Sequence, residues 1–316
     1  MSVAFVFPGQ GSQAVGMLSS LAGRPEVDAL IARADAALGE PALSRIIAEG
    51  PAETLALTTW TQPAMLLAGM ANLVAWQAAG GPAPDFVAGH SLGEYTALVA
   101  AGSLALEPAL KLVRLRAQAM QEAVPVGVGG MAAILGLADA DVQAACDEAR
   151  TVPGGRQTEE VAPVNFNAPS QVVIAGHLGA VKRACEAAQA RGARRAVMLP
   201  VSAPFHSVLL RSAGDVLARA LADVVVQTPA IPLVNNVDVA IETDPARIRD
   251  ALVRQAWHPV RWVEVVQTLV DRGVDHFIEF GPGKVLTGLI KRIAPQARLD
   301  NVGDAESLQT TLARLS

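Results

Sequence analysis

A serine between two glycines is the residue of this chain best placed for nucleophilic chemistry. Positions 89–93 read Gly-His-Ser-Leu-Gly and fit the G-x-S-x-G pattern, with an apolar run before them and a helix-like run after them. The two glycines allow a tight strand-to-helix turn, in which the backbone passes too close to itself for Cβ atoms. Such a turn exposes the hydroxyl of Ser91 at a helix N-terminus, where backbone N–H groups favour negative charge. The pattern also occurs in plain strand–helix turns, but its context here favours a nucleophile.

A serine nucleophile needs a base to take its proton, and His206 is the histidine best placed for this role. It lies in the segment 201–207, at the end of a predicted strand and the start of a predicted helix. His90 adjoins the serine, but neighbours in such a turn point in different directions. His177 and His276 fit structural or surface positions better. We therefore pair His206 with Ser91.

The third member of a Ser–His–acid triad is missing from the sequence. A hydrolase of this type carries an Asp or Glu in a loop between its serine and its histidine. The acids at 139, 141, 147 and 148 in that interval fall at predicted helix positions. This favours a Ser–His dyad whose imidazole is held by a backbone carbonyl.

Arg116 and Gln10 are two further polar residues in informative places. In a predicted helix over 108–122, Arg116 lies about 60° from Val113 and the buried stripe, at about 100° per residue. An inward arginine needs an anion, and its planar fork suits a carboxylate, either internal or from a ligand. Gln10 lies in a glycine-flanked loop after the first strand, where its amide could donate to an oxyanion or stabilise the loop.

Composition excludes several classes of protein. Of 316 residues, 51% are apolar and 17% charged, so a sizeable core is available, and no run approaches the roughly 18 apolar residues of a membrane span. The two cysteines, Cys146 and Cys185, have neither metal-ligand spacing nor a disulfide framework, and the N-terminus has no basic region typical of a signal peptide. The net charge of −5 argues against nucleic-acid binding. We expect a cytoplasmic protein without a metal site.

The order of the predicted elements indicates an α/β fold. Apolar runs alternate with helical patterns, which favours a parallel sheet, with strands that include 3–7, 86–88, 233–235 and 276–280. After the connector 127–130, the segment has the order βαββαβ, which is the ferredoxin-like signature. We predict a hydrolase-like large subdomain with a parallel sheet over 1–128 and 200–316, and an inserted ferredoxin-like small subdomain over 129–199.

Taken together, these segments resemble the malonyl-CoA:acyl carrier protein transacylases of dissociated fatty-acid synthesis. The resemblance runs in order from about residue 3 to residue 293. The matching pieces are 7–13, 62–64, 89–94, 120–125, 164–167, 171–176, 205–206 and 279–286.

The resemblance implies a role for each matching residue. Ser91 is the nucleophile, and His206 acts as general base and then acid. Gln10 and the backbone N–H of Leu92 form the oxyanion hole, and Arg116 binds the free carboxylate of the malonyl group. The remaining residues are Gln62 and Asn165 lining the pocket, Gln255 orienting the imidazole through its carbonyl, and Phe205 disfavouring methylmalonyl.

The same resemblance implies ping-pong chemistry between malonyl-CoA and an acyl carrier protein, with no cofactor beyond the phosphopantetheine that the carrier brings. Because such carriers are acidic, a basic docking patch is expected. One group surrounds Lys182 and Arg183, with Glu186 as its single acid, and the other comprises Lys284, Lys291 and Arg292. Either group could equally be a solvated helix face. We expect a monomer that binds neither nucleic acid nor membranes.

Three alternative functions remain open from the sequence. A serine esterase or thioesterase would explain Ser91 and His206, but not an inward Arg116. A non-catalytic module that binds the carrier protein would not need the complete set of polar residues. A discrete acyltransferase of a polyketide pathway would share all of these residues.

Overall fold

The described part of the chain forms two separate sheets, one parallel and one antiparallel. The computed structural model describes residues 2–152, 154, 158–201 and 203–315. The strands in these ranges are β1 Ser2–Phe7, β2 Phe86–Gly89, β3 Gly129–Leu135, β4 Val161–Ala168, β5 Gln171–His177, β6 Arg195–Met198, β7 Val274–Phe280 and β8 Arg298–Val302.

Helices cover both sheets. In chain order they are α1 Pro25–Leu38, α2 Leu43–Glu49, α3 Ala52–Leu55, α4 Thr58–Ala78, α5 Leu92–Ala100, α6 Leu106–Glu122, α7 Asp139–Ala149, α8 Leu178–Ala190, α9 Arg211–Ala222, α10 Pro245–Gln255, α11 Trp262–Asp271, α12 Val285–Ile293 and α13 Ala305–Leu315. Among the described residues, no helix combines the length and the apolar character needed to cross a membrane.

The parallel sheet has the strand order β2-β1-β7-β8. Its central strand β1 is buried on both faces from Val3 to Phe7, which explains its uninterrupted apolar sequence. Phe5 and Phe7 belong to the core that includes α4, α5 and α6, whereas Ala4 and Val6 pack with α11 and α12. The sheet therefore holds β2, and the turn that follows it, between two helical layers.

The antiparallel sheet has the strand order β4-β5-β3-β6. On one face, Ile134 and Ile174 pack against α7 and α8 in a separate core. On the other face, Met131 and Val173 join the core of the large unit. All four strands fall within the predicted interval 129–199.

The predicted strand at 233–235 is wrong. In its place the structure has two isolated bridges, one from Leu233 to Val87 and one from Val234 to Ile241. The chain turns back at once, because the N–H of Asn235 donates to the carbonyl of Ala240. An apolar run this short pairs with β2 without becoming a strand.

Candidate active site

Ser91 occupies a strained turn between β2 and α5. Its φ is 53°, in the left-handed region that non-glycine residues rarely adopt. A β-carbon built on Gly89 would lie 1.9 Å from the carbonyl carbon of Gly93, and one on Gly93 would lie 1.9 Å from the carbonyl oxygen of Phe7. Only glycine fits at both positions, as the G-x-S-x-G spacing predicted. The turn sets the serine at the N-terminus of α5.

His206 faces this serine. Its Nε2 lies 2.7 Å from the Oγ of Ser91, and its Nδ1 lies 2.8 Å from the carbonyl oxygen of Gln255. Because a carbonyl only accepts, the proton of a neutral imidazole lies on Nδ1, and Nε2 is free to accept from the serine. Burial, with the nearby charge of Arg116, lowers the pKa of His206 to about 3. The histidine is thus a neutral base at ordinary pH.

Arg116 is buried beside the same hydroxyl, with 1% of its surface exposed. Its guanidinium donates to Gln62 Oε1 at 2.7 Å, to Gln255 Oε1 at 2.9 Å and to Ser91 Oγ at 3.1 Å. In the described part of the chain, no carboxylate lies at salt-bridge distance from it. Burial lowers the pKa of Arg116. Because its three partners Gln62, Gln255 and Ser91 are all neutral, the positive charge of the guanidinium is available to an anion that enters the cavity.

Gln10 and Leu92 line the same cavity as Ser91. The Oε1 of Gln10 accepts from the Thr58 hydroxyl at 3.0 Å, which leaves the amide NH₂ group to donate. Leu92 is the first residue of α5, and N–H groups in the first turn of a helix have no acceptor within that helix. Together they offer two donors near Ser91, as an oxyanion hole requires.

One cavity of about 940 Å³ brings most of the predicted site residues together. Those that line it are Gln10, Gln62, Ser91, Leu92, Arg116, Asn165, Phe205 and His206. Gln255 is fully buried behind them and contacts the site through hydrogen bonds. The small sheet supplies one wall through Met131, Asn167 and Val173. The cavity therefore lies between the two sheets.

Three of the other histidines bond to partners other than the hydroxyl of Ser91. The buried His276 hydrogen-bonds to Asp300 at 2.9 Å, and the Nδ1 of His177 accepts the N–H of Glu160 at 2.8 Å. His90 bonds to Asn167 at 2.7 Å and does not reach the hydroxyl of Ser91. These contacts are structural.

The two predicted basic groups differ in position and charge balance. Lys182 and Arg183 lie on α8, which covers the face of the small sheet opposite the cavity. Arg183 donates to the carbonyl of Ala149 and to Glu159 at 2.9 Å. Glu186 is therefore not the only acid there, because the tertiary fold brings Glu159 to the same helix.

The second group lies nearer the cavity. A β-carbon on Gly283, beside Lys284, would lie 3.1 Å from the Cβ of Ser12, in the loop that carries Gln10. Lys284 and Lys291 are exposed, and Arg292 donates to Gln171 and to the carbonyl of Pro169. Arg292 thus links α12 to the small sheet.

Sequence reasoning missed two residues that hold the nucleophile turn. Asn236 accepts the N–H of Ser91 at 2.7 Å and donates to the carbonyl of Gly89 at 2.8 Å. Glu94, three residues after the serine, accepts the backbone N–H of Asn236 at 2.9 Å. The position of Glu94 in the first turn of α5 was visible in the sequence, but its partner, 142 residues away, was not.

Comparisons with known proteins find similarity along almost the whole chain. The model of the acyl transferase domain matches residues 4–310. The malonyl CoA-acyl carrier protein transacylase of Salmonella typhimurium is 50% identical over 312 residues, which cover 98% of this chain and 99% of the relative.

Two solved structures are similar over their whole length. The acyl-carrier-protein S-malonyltransferase of Burkholderia pseudomallei 1710b is 58% identical, with a TM-score of 0.95, covering 99% of this chain and 100% of that one. A malonyl-transacylase solved in complex with a type II PKS acyl-carrier protein is 48% identical, with the same TM-score of 0.95 and coverage of 99% and 100%. These similarities confirm the resemblance inferred from the motifs, and the chain belongs to the acyl transferase family.

Proposed function

We propose that this chain transfers the malonyl group of malonyl-CoA to the phosphopantetheine thiol of an acyl carrier protein. The observation that carries the proposal is the buried guanidinium of Arg116, 3.1 Å from the Oγ of Ser91 and without a carboxylate partner among the described residues. A substrate with a thioester and a free carboxylate gives the nucleophile Ser91 a carbonyl to attack and gives the Arg116 guanidinium an anionic partner. The names of the relatives support malonyl and carrier protein as the substrates.

In the first half-reaction, Ser91 attacks the thioester carbonyl. The proton of its hydroxyl passes to Nε2 of His206, the Oγ–C bond forms and the C–S bond of malonyl-CoA breaks. The carbonyl of Gln255 holds the resulting imidazolium. The side-chain amide of Gln10 and the N–H of Leu92 donate to the oxyanion. His206 then returns the proton to the departing thiolate of CoA.

The second half-reaction reverses these steps with another thiol. The carrier's thiol gives its proton to His206, and its sulfur forms a bond to the acyl carbon. The bond between the acyl carbon and Ser91 Oγ then breaks, and His206 returns the proton to this oxygen. Both steps are thioester–ester exchanges without change of oxidation state, so we propose that no cofactor is needed. Arg116 holds the acyl group in place while the thiols exchange.

The walls of the cavity support selection of the substrate. Gln62 accepts from Arg116 and fixes one side of its guanidinium. Phe205 and the buried Asn165 line the same cavity. We assign Phe205 to the exclusion of a branched acyl group, a difference worth about 1–3 kcal/mol for one methyl-sized group.

We also propose a fold type for each of the two subdomains. The strand order β4-β5-β3-β6, with helices α7 and α8 on one face, supports a ferredoxin-like small subdomain over 129–199. The turn at Ser91 between β2 and α5 supports a hydrolase-like large subdomain over 1–128 and 200–316.

A second candidate is the same transfer within a polyketide pathway. One relative, 48% identical, is described with a type II PKS acyl-carrier protein. The chemistry at Ser91 would be identical, and only the carrier would differ. Comparing transfer rates to fatty-acid and polyketide carrier proteins separates the two.

Intact-protein mass spectrometry after brief mixing with malonyl-CoA tests the proposal. We expect a malonyl adduct on the native chain and none on Ser91→Ala. The matched control is Ser103→Ala, since this buried serine bonds to the carbonyl of Gln227 and does not line the cavity. An absent adduct with steady release of free malonate would indicate a hydrolase instead.

A further inference from the structure

The side chain of Gln255 joins the two halves of the site. Its Oε1 accepts from Arg116 at 2.9 Å, and its Nε2 donates to the carbonyl of Ser91 at 2.9 Å and to Glu94 Oε2 at 3.0 Å. The carbonyl of Ser91 only accepts and the guanidinium of Arg116 only donates, so the orientation of this amide is fixed, with its oxygen towards the guanidinium. Its backbone carbonyl meanwhile holds Nδ1 of His206. One residue thus contacts the cation, the nucleophile's backbone and the base.

Glu94 is the group that fixes this amide. It is 2% exposed, and its Oε2 accepts from Gln255 Nε2 at 3.0 Å and from the backbone N–H of Asn236 at 2.9 Å. Asn236 in turn bonds to the N–H of Ser91 and the carbonyl of Gly89. A single carboxylate oxygen therefore supports both residues that surround the nucleophile turn.

The charged groups around Glu94 include the guanidinium of Arg116. Arg116 on α6 favours the ionised carboxylate, whereas Asp238, on the loop after Asn236, opposes it. Tyr95, beside it on α5, and Glu242, across a cavity of about 10 Å³, are the other titratable groups nearby. Burying a carboxylate costs free energy unless bonds and opposite charge compensate. Here burial raises the pKa of Glu94 despite its partners, so the compensation is partial, and it comes from the residues that build the site.

We propose that Glu94 is a positioning residue for malonyl transfer, which fixes the Gln255 amide and thereby sets the place of the Arg116 guanidinium relative to the Oγ of Ser91. The inference rests on the proposed function. An acyl group without a carboxylate makes no use of the guanidinium. Loss of the link therefore affects malonyl transfer more than acetyl transfer, whereas a general loss of structure affects both equally.

The test compares single-turnover acylation of Ser91 by malonyl-CoA and by acetyl-CoA. Glu94→Ala removes both bonds, and we expect the malonyl rate to fall about 10- to 100-fold, with the acetyl rate changed by less than about 3-fold, since small misplacements of a binding group have effects of this size. Glu94→Gln keeps a carbonyl oxygen in the place of Oε2. We expect it to retain most of the native malonyl-to-acetyl ratio.

A matched control separates this role from burial as such. Glu279 is also a buried carboxylate, but it accepts from Leu286 and Thr287 at the start of α12, away from Arg116. We expect Glu279→Ala to leave the malonyl-to-acetyl ratio unchanged, whatever it does to both rates.

Gln255→Ala gives a second and independent measurement, because it keeps the backbone carbonyl that holds His206. It should lower the malonyl-to-acetyl ratio, and so should Glu94→Asp, whose shorter side chain withdraws the carboxylate from the amide. Combining the two substitutions should lower the ratio no further than the larger single effect. This comparison decides the question if Glu94→Ala does not fold. An unchanged ratio in Gln255→Ala, or an equal loss of both rates in Glu94→Ala, would overturn the inference. If the native chain forms no malonyl adduct, that result would instead contradict the proposed function itself.

Discussion

The Nη2 atom of Arg116 lies 3.1 Å from the Oγ of Ser91, so the cation and the nucleophile meet at one point of the cavity. The same hydroxyl lies 2.7 Å from Nε2 of His206. Ser91 therefore donates to the base and accepts from the guanidinium before any substrate enters. When a substrate carboxylate accepts the hydrogen bond that Arg116 now donates to Ser91, a lone pair of the Oγ becomes free to attack the thioester.

Replacing Arg116 by alanine should change acyl selectivity more than catalysis itself. We expect kcat/KM for malonyl-CoA to fall roughly 100- to 1000-fold, since bonds to charged groups contribute about 1.5–3 kcal/mol each. Acetyl-CoA should become the better substrate. The matched control is Arg114→Ala on the same helix, because Arg114 bonds to the carbonyl of Leu38 and stacks on Trp60. A parallel loss for malonyl and acetyl would contradict the assignment.

The pH dependence of acylation should reflect the low pKa of His206. Burial and the charge of Arg116 lower that pKa to about 3, so the neutral base persists well below pH 6. We expect the acid limb that belongs to His206 to fall near pH 3–4 and to move to higher pH in Arg116→Ala, because the cation is gone. Burial also raises the pKa of Glu94 to about 7, so its titration could affect the same profile. Recording the profile in Glu94→Gln as well removes that contribution. An acid limb near pH 6.5 in both the native chain and Arg116→Ala would contradict a lowered pKa of His206.

The residues that perform the proposed chemistry were visible in the sequence because their types and local spacing carry the signal. Glycines at 89 and 93 predicted the turn at Ser91, and helical periodicity predicted that Arg116 points inward. The structure buries Arg116 and gives the turn its positive φ. Local patterns suffice wherever the constraint is local.

The side-chain contacts of the supporting residues were not predictable from local patterns, because they join distant parts of the chain. Glu94 and Gln255 are 161 residues apart, and no local pattern pairs them. Strand β8 escaped notice for a related reason, since only Leu299 and Val302 of its five residues are apolar and the charged Asp300 lies between them. That charge is buried against His276 and Arg314, which only the fold brings together.

The stability of the nucleophile turn should depend on Gly93. A β-carbon there would lie 1.9 Å from the carbonyl oxygen of Phe7 on the central strand, so backbone must move. We expect Gly93→Ala to lower the free energy of unfolding by about 3 kcal/mol, measured by urea denaturation, and to reduce Ser91 acylation. Gly288→Ala on α12 is the control, since a β-carbon there has no neighbour within 4 Å, and we expect a gain of up to about 1 kcal/mol. Equal effects at both positions would refute the argument.

Glu94→Gln should become more stable than the native chain as the pH rises. Burial raises the pKa of Glu94 from 4.5 to about 7 in the folded state. A carboxyl with a raised folded pKa stabilises fully below pH 4.5, and this contribution is lost as the pH rises through 7. Glutamine has no such dependence, so its relative free energy of unfolding should gain about 3 kcal/mol between pH 4 and pH 8. Urea denaturation at both pH values measures this difference, and a constant difference would mean that Glu94 does not titrate there.

Charge reversal at two lysines should locate the surface that the carrier protein uses. Lys284 adjoins the loop that carries Gln10 at the cavity, whereas Lys182 lies on α8, which covers the far face of the small sheet. We expect Lys284→Glu to raise the KM for the carrier protein several-fold while single-turnover acylation by malonyl-CoA stays unchanged. Lys182→Glu is the matched variant and should have a smaller effect. Because the attraction of an acidic partner is screened by salt, the difference between the two variants should shrink at high ionic strength. A larger effect at Lys182 would place the docking surface on α8, as the first of the two predicted basic groups requires.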